Sequence, residues 1–162
     1  GRQLGHEDIM SGPPFSGLVV PTGIRVYREM LNLLHVLKTY GFHTYILTAT
    51  NVYVARALSR WLRGDDDEPL VPEERVLGAE LVSQSGVYTD RVLDDMPVGE
   101  AKLDMLLDAA GRSPILAMGD SMDDFEVLEN CEGMVIVIDS GNQEVVDKAE
   151  DMEWWLQPQL TI

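Results

Sequence analysis

Cysteine is almost missing from this chain. Cys131 stands alone among 162 residues, so no internal disulfide can form and a reducing, cytoplasmic setting is expected. The three histidines and that single thiol show no ligand spacing, which argues against a structural zinc site. Basic residues are scarce as well: 12 Lys and Arg against 28 Asp and Glu leave a net charge of −16. Such a surface disfavours nucleic acid or an anionic membrane as partner. No apolar run approaches the roughly 20 residues of a membrane span, and no secretory apolar core is visible. Methionine is absent from the first position, where Gly1 stands, so a processed chain or a piece of a longer protein is expected.

What is present is a 45% hydrophobic content, enough for one domain with a sizeable core. The densest information lies in Ile115 to Phe125, ILAMGDSMDDF. Ile115 to Met118 has the length and composition of a buried strand in a parallel sheet. Ser121 can cap the helix that follows, whose apolar positions Met122, Phe125 and Leu128 keep helical spacing. Asp120 therefore falls at the carboxyl end of a strand, where open α/β sheets hold ligands, with Asp124 one helical turn further on. Two hard oxygen donors there suit Mg²⁺, which takes one or two protein carboxylates and keeps waters. Ser121-x-x-Asp124 is equally a capping box, in which Asp124 only supports the helix end.

Residues 1–21 read as irregular, with breakers at Gly5, Ser11-Gly12-Pro13-Pro14 and Pro21 and one strand candidate, Leu18 to Val20. Thr22 opens an amphipathic helix to about Tyr40, with Val26, Met30, Leu33, Leu34 and Leu37 as its buried stripe. A strand over 43–47 ends in Thr48-Ala49-Thr50-Asn51, and a helix runs from about Val52 to Arg63. The acids of 65–68 form a solvated loop without the alternation and glycine of a calcium loop. Val76 to Val82 and Val87 to Thr89 read as two strands joined at Ser85-Gly86, a hairpin. Gly99 to Ala110 is a helix stopped by Gly111; a strand at 134–138, a helix near 143–148 and a short strand at Trp154 to Leu156 close the chain. That order predicts a doubly wound, Rossmann-like α/β domain over 22–162 with a small β-hairpin insertion.

Three features share the predicted mouth. Thr48 ends a strand, and its hydroxyl with neighbouring backbone N–H groups suits a phosphate oxygen, though a turn or cap is a threonine's commoner role there. Lys102 sits in the first turn of its helix, where a cation opposes the macrodipole and so hints at a task; an exposed lysine is the plain alternative. The Asp120 and Asp124 pair is the third.

In that order the chain resembles the haloacid dehalogenase (HAD) superfamily, in its phosphoserine phosphatase-like branch. ILTATNVYVARAL resembles the second motif, a strand ending in Ser or Thr and then a helix. VLGAELVSQSGVYTDRV resembles the hairpin segment, with Thr89-Asp90 where Thr-Gly is common. VGEAKLDML resembles the third motif, and LAMGDSMDDFEVLE the fourth. The resemblance implies a Mg²⁺-dependent phosphatase acting on a small phosphorylated metabolite through an aspartyl phosphate. It implies Thr48 and Lys102 as catalytic residues and Thr48, Ala49, Asn51 and Lys102 as phosphate binders. It assigns Asp120 to the metal and Asp124 to completing or orienting its shell.

One motif is missing. No Asp-x-Asp follows an apolar strand; Asp65-x-Asp67 lies in the acidic loop. In the family fold that first motif lies on the central strand, between the strands ending at Thr48 and Met118, and carries the nucleophile. Without it two strands would face each other across a gap with unpaired edges. The chain is thus expected to be the carboxyl-terminal part of a HAD protein, with residues 1–21 the tail of an upstream cap. The central strand would come from an associated amino-terminal fragment or a second chain. Leu18 to Val20 is the alternative occupant, and a catalytically dead one. A HAD-like scaffold that only binds is a second reading. A phosphoacceptor signalling domain is disfavoured, because Thr48 and Lys102 precede the acids here. Serine-hydrolase elbow and P-loop patterns are both missing.

Overall fold

A computed structural model describes residues 26–64 and 67–158. The irregular segment 1–21, the strand candidate at 18–20 and the cap at Thr22 lie outside these residues. Helix α1 spans Arg28–Thr39, followed by strand β1 (Ile46–Asn51) and helix α2 (Val52–Ser59). Strand β2 (Val76–Ala79) and the strands β3 (Leu81–Gln84) and β4 (Val87–Val92) come next. Helix α3 (Glu100–Ala110), strand β5 (Leu116–Gly119) and helix α4 (Phe125–Glu129) carry the chain to strand β6 (Met134–Ile138). Helix α5 (Gln143–Asp151) and strand β7 (Trp155–Gln157) complete it.

The strands form two parallel ladders and one hairpin. β1 pairs with β2, with Thr48 opposite Gly78 and Asn51 opposite Ala79. β5, β6 and β7 form the second parallel ladder, in that order. Helices between parallel strands make this the doubly wound α/β fold expected from the element order. β3 and β4 form the hairpin, and Ser85 and Gly86 both hold the positive φ of a two-residue turn.

The main core lies on the β5–β7 side. Leu106, Ala117, Leu128, Val135, Val137, Val145 and Ala149 pack together there, from α3, α4, α5 and the ladder. Val52, Leu70, Val71, Val76 and Ala79 are buried on the β1–β2 side.

Several boundaries differ from the sequence reading. α1 begins at Arg28 rather than Thr22, because the backbone of Tyr27 is extended and Val26 lies before it, and β1 begins at Ile46 rather than His43, where its pairing with Val76 starts. The segment Thr48-Ala49-Thr50-Asn51, read as the end of the strand, belongs to β1 throughout, because its pairing with β2 extends to Ala79. The run 76–82 is not one hairpin strand: it breaks at Glu80, giving its first half to the β1 ladder and its second to the hairpin. α2 stops at Ser59, four residues short of the expected Arg63, whose backbone instead bridges to Pro69.

β1 and β5 do not pair with each other. Each has one edge bonded outward, and the edges that face inward border a cavity of about 580 Å³. Ile46 and Leu47 line it from β1, Leu116 and Met118 from β5. The stripe of α1, including Leu33 and Leu37, lines it too, and no residue of that helix is fully buried. The helix thus presents its apolar face to a slot that the described residues leave open. A single extended strand would fit such a place, 4.7–4.9 Å from each neighbour.

β2 approaches β1 so closely at Gly78 that a methyl group there would meet the Thr50 carbonyl at 2.8 Å and Thr48 Cγ2 at 2.9 Å. Gly78→Ala should therefore cost about 1–3 kcal/mol through forced separation of the strands, measured by urea denaturation. An unchanged midpoint would mean that the ladder tolerates a looser register.

Candidate functional site

β1 and β5 run parallel to their partners and end at one edge of the fold, and the slot opens between them. On the β1 side, Thr48 is half-buried and its Oγ1 accepts a hydrogen bond from the Thr50 N–H at 3.0 Å. That bond uses a lone pair and leaves the hydroxyl hydrogen to another acceptor. Asn51 Oδ1 accepts from the Tyr53 N–H at 2.9 Å and the Val54 N–H at 3.4 Å, so its side chain caps α2. Ala49 lies between them in β1 and is half-buried.

On the β5 side the chain turns sharply. Asp124 Oδ2 accepts from the backbone N–H groups of Asp120 (3.1 Å) and Ser121 (3.2 Å) and from the Ser121 hydroxyl (2.9 Å). The capping box read from the sequence is therefore formed, on a short 3₁₀ turn at Met122–Asp124 that leads into α4. The other oxygen, Oδ1, takes the Lys102 ammonium at 2.6 Å. One carboxylate thus both caps the turn and pairs with Lys102.

Lys102 is only 4% exposed, although it stands in the first turn of α3. Burial offsets the plain reading of an exposed lysine, and the amine lines the slot together with Asp124. Burial alone would raise the Asp124 carboxyl. The hydrogen bond and charge of Lys102, with the Ser121 hydroxyl and the Asp120 N–H, outweigh it and hold the group below the ordinary carboxylate range.

Asp120 has its backbone engaged at both ends, its N–H on Asp124 and its carbonyl accepting from Ser140 Oγ at 2.9 Å. Its side chain is exposed at the mouth. Ser140 escaped the sequence reading, yet its place was legible: it follows the apolar β6, at the same edge as Asp120. Among the described residues no group of three or more His, Cys, Asp or Glu is gathered to hold a metal. One free carboxylate at a polar mouth, with a second fixing its backbone, fits an ion that needs few protein ligands and completes its shell with water.

These elements agree with what the chain resembles. The family model for haloacid dehalogenase-like hydrolases matches residues 18–129, and the chain belongs to that family. Among solved structures, it is similar to a conserved protein of unknown function from Anaerococcus prevotii DSM 20548, at 24% identity and a TM-score of 0.68. It is also similar to a phosphoserine phosphohydrolase-like protein from Francisella tularensis subsp. tularensis SCHU S4, at 17% identity and a TM-score of 0.60. The alignments cover 83% and 82% of this chain but 37% and 58% of those two. The chain therefore spans less than two thirds of either. No curated protein gives a match.

In the metal-free protein the lowered carboxyl of Asp124 ties stability to pH. Its contribution is present above the unfolded value of about 3.9 and is lost as pH falls through the lower folded value. The melting temperature of native protein minus that of Asp124→Asn should be largest above about pH 5 and close toward about pH 3. A difference independent of pH would mean that the ion pair contributes nothing and that only the cap matters.

Proposed function

We propose that this chain is the core of a Mg²⁺-dependent phosphomonoester hydrolase of the HAD family, in its phosphoserine phosphatase-like branch. Its substrate is a small phosphorylated metabolite, and it works in the cytoplasm, where a lone thiol such as Cys131 persists reduced. The nucleophile is an aspartate on an apolar strand seated in the slot between β1 and β5, supplied by a segment outside this sequence. The carrying observation is the slot itself: two facing strand edges, an apolar lining, and Lys102 on its wall.

The chemistry assigns a task to each residue. An aspartate oxygen attacks phosphorus, the P–O bond to the organic group breaks, and the departing oxygen takes a proton. Water then attacks the phosphorus of the acyl phosphate, releasing inorganic phosphate and restoring the carboxylate. Lys102 offsets the repulsion between the two anions before they meet, and Asp124 fixes that ammonium in place. Thr48 gives its hydroxyl hydrogen to a phosphoryl oxygen, and the backbone from Ala49 to Asn51 lines the same corner. Asp120 holds the metal, while Asp124, with both oxygens engaged, orients the turn that carries it. Mg²⁺ bound there would neutralise charge spread over the phosphoryl oxygens.

Two substitutions in the full-length protein test this. Asp120→Asn should abolish Mg²⁺-dependent phosphatase activity and weaken Mg²⁺ binding in calorimetry, with the melting temperature nearly unchanged. Lys102→Met should lower kcat by about 10²–10³. A folded Lys102→Met protein with less than a tenfold loss would remove the lysine from the mechanism. Native full-length protein that hydrolyses no phosphomonoester would favour a scaffold that binds without turnover.

A further inference from the structure

Two exposed tyrosines stand at the β2 side of the mouth. β2 runs parallel to β1 and ends with Ala79 level with Asn51. Leu81 opens the hairpin two residues later, so β3 and β4 stand beyond the carboxyl end of that ladder. Tyr53 lies in the first turn of α2, which begins at the same end. The ring of Tyr88, on β4, rests against it with centroids 5.2 Å apart and planes tilted by 37°.

The rings are not the one link between α2 and the hairpin among the described residues. Arg56 Nε donates to the Val76 carbonyl at the start of β2 at 3.2 Å, and its Nη2 lies 3.8 Å from Glu80, the residue before β3. Thr89 Oγ1 donates to the Val82 carbonyl at 3.0 Å and holds the hairpin in register. The rings nonetheless keep 41% and 55% of their surface exposed, with Val54 and Val87 exposed beside them. They form an aromatic face near the carboxyl end of the β1–β2 ladder, with much of each ring open to solvent. The exposed side chains of the turn after β5 are acids, and Asp123, which takes no part in holding the metal, repels a carboxylate-bearing group beside it.

We infer that Tyr53 and Tyr88 set specificity, stacking on a flat, uncharged leaving group of the phosphomonoester, such as an aryl ring or a nucleobase. The inference rests on the phosphatase reading above for the position of the phosphate. It separates the two ends of the substrate: Thr48 and Lys102 meet the phosphoryl group, and the tyrosines meet what departs.

The test compares 2-naphthyl phosphate with ethyl phosphate on full-length protein carrying Tyr88→Ala, Tyr88→Phe or neither. Tyr88→Ala should lower the naphthyl-to-ethyl ratio of kcat/KM about tenfold, through KM, and Tyr88→Phe should keep the native ratio. An equal fall on both esters, or no fall, would overturn the inference and leave the pair a structural clasp. Failure of native protein to hydrolyse either ester would overturn the phosphatase reading instead. Stacking is then decided by 2-naphthol, whose fluorescence reports binding to the same protein. Affinity about tenfold weaker in Tyr88→Ala, with Tyr88→Phe at native affinity, supports it; binding indifferent to Tyr88 overturns it.

Discussion

Backbone hydrogen bonding governs this structure more than any side chain. A strand buried in a parallel sheet needs a partner on each edge, since an unpaired N–H or C=O away from water costs as much as a lost hydrogen bond. Among the described residues β1 is bonded to β2 alone, and β5 to β6 alone. Both face the same apolar slot, which the stripe of α1 also borders. Among the described residues the two ladders and the helix leave room for something extended and apolar between them. Lys102 and Asp124 line that slot together with Ile46 and Leu47 of β1.

Around that mouth the electrostatics are already arranged. A buried ammonium and a mostly buried carboxylate 2.6 Å apart cost much desolvation, and such a pair is a poor source of stability by itself. Under the proposed function its use is positional. Asp124 gathers Lys102, the Ser121 hydroxyl and two backbone N–H groups onto one carboxylate, so the lysine and the turn bearing Asp120 are held as a unit. Rigidity before the substrate arrives is what makes a charged site effective, since no reorganisation is needed at the moment of reaction.

The sequence carried much of this plainly. The apolar run at 115–118, the acid after it and the helical spacing of Met122, Phe125 and Leu128 define β5 and its turn without reference to any other strand. Lys102 was legible from its conflict with the helix dipole, and burial beside Asp124 supplies the physical reason. Less legible were features set by pairing between distant segments. Nothing local in Val76 to Val82 says that its first half bonds to β1 and its second to β4, because both halves are short and apolar. The meeting of Tyr53 with Tyr88 and of Ser140 with Asp120 likewise depends on which ends of which strands adjoin. Asn51 was expected at the phosphate alone, and its side-chain oxygen caps the helix that follows.

We propose that a strand carrying an acid occupies the slot, and a crystal structure of the full-length protein grown with Mg²⁺ tests this most directly. One extended segment hydrogen-bonded in parallel to both β1 and β5, with a carboxylate at its carboxyl end facing the Lys102 ammonium, is the expected result. Direct pairing of β1 with β5, or a slot filled only by side chains, would contradict it.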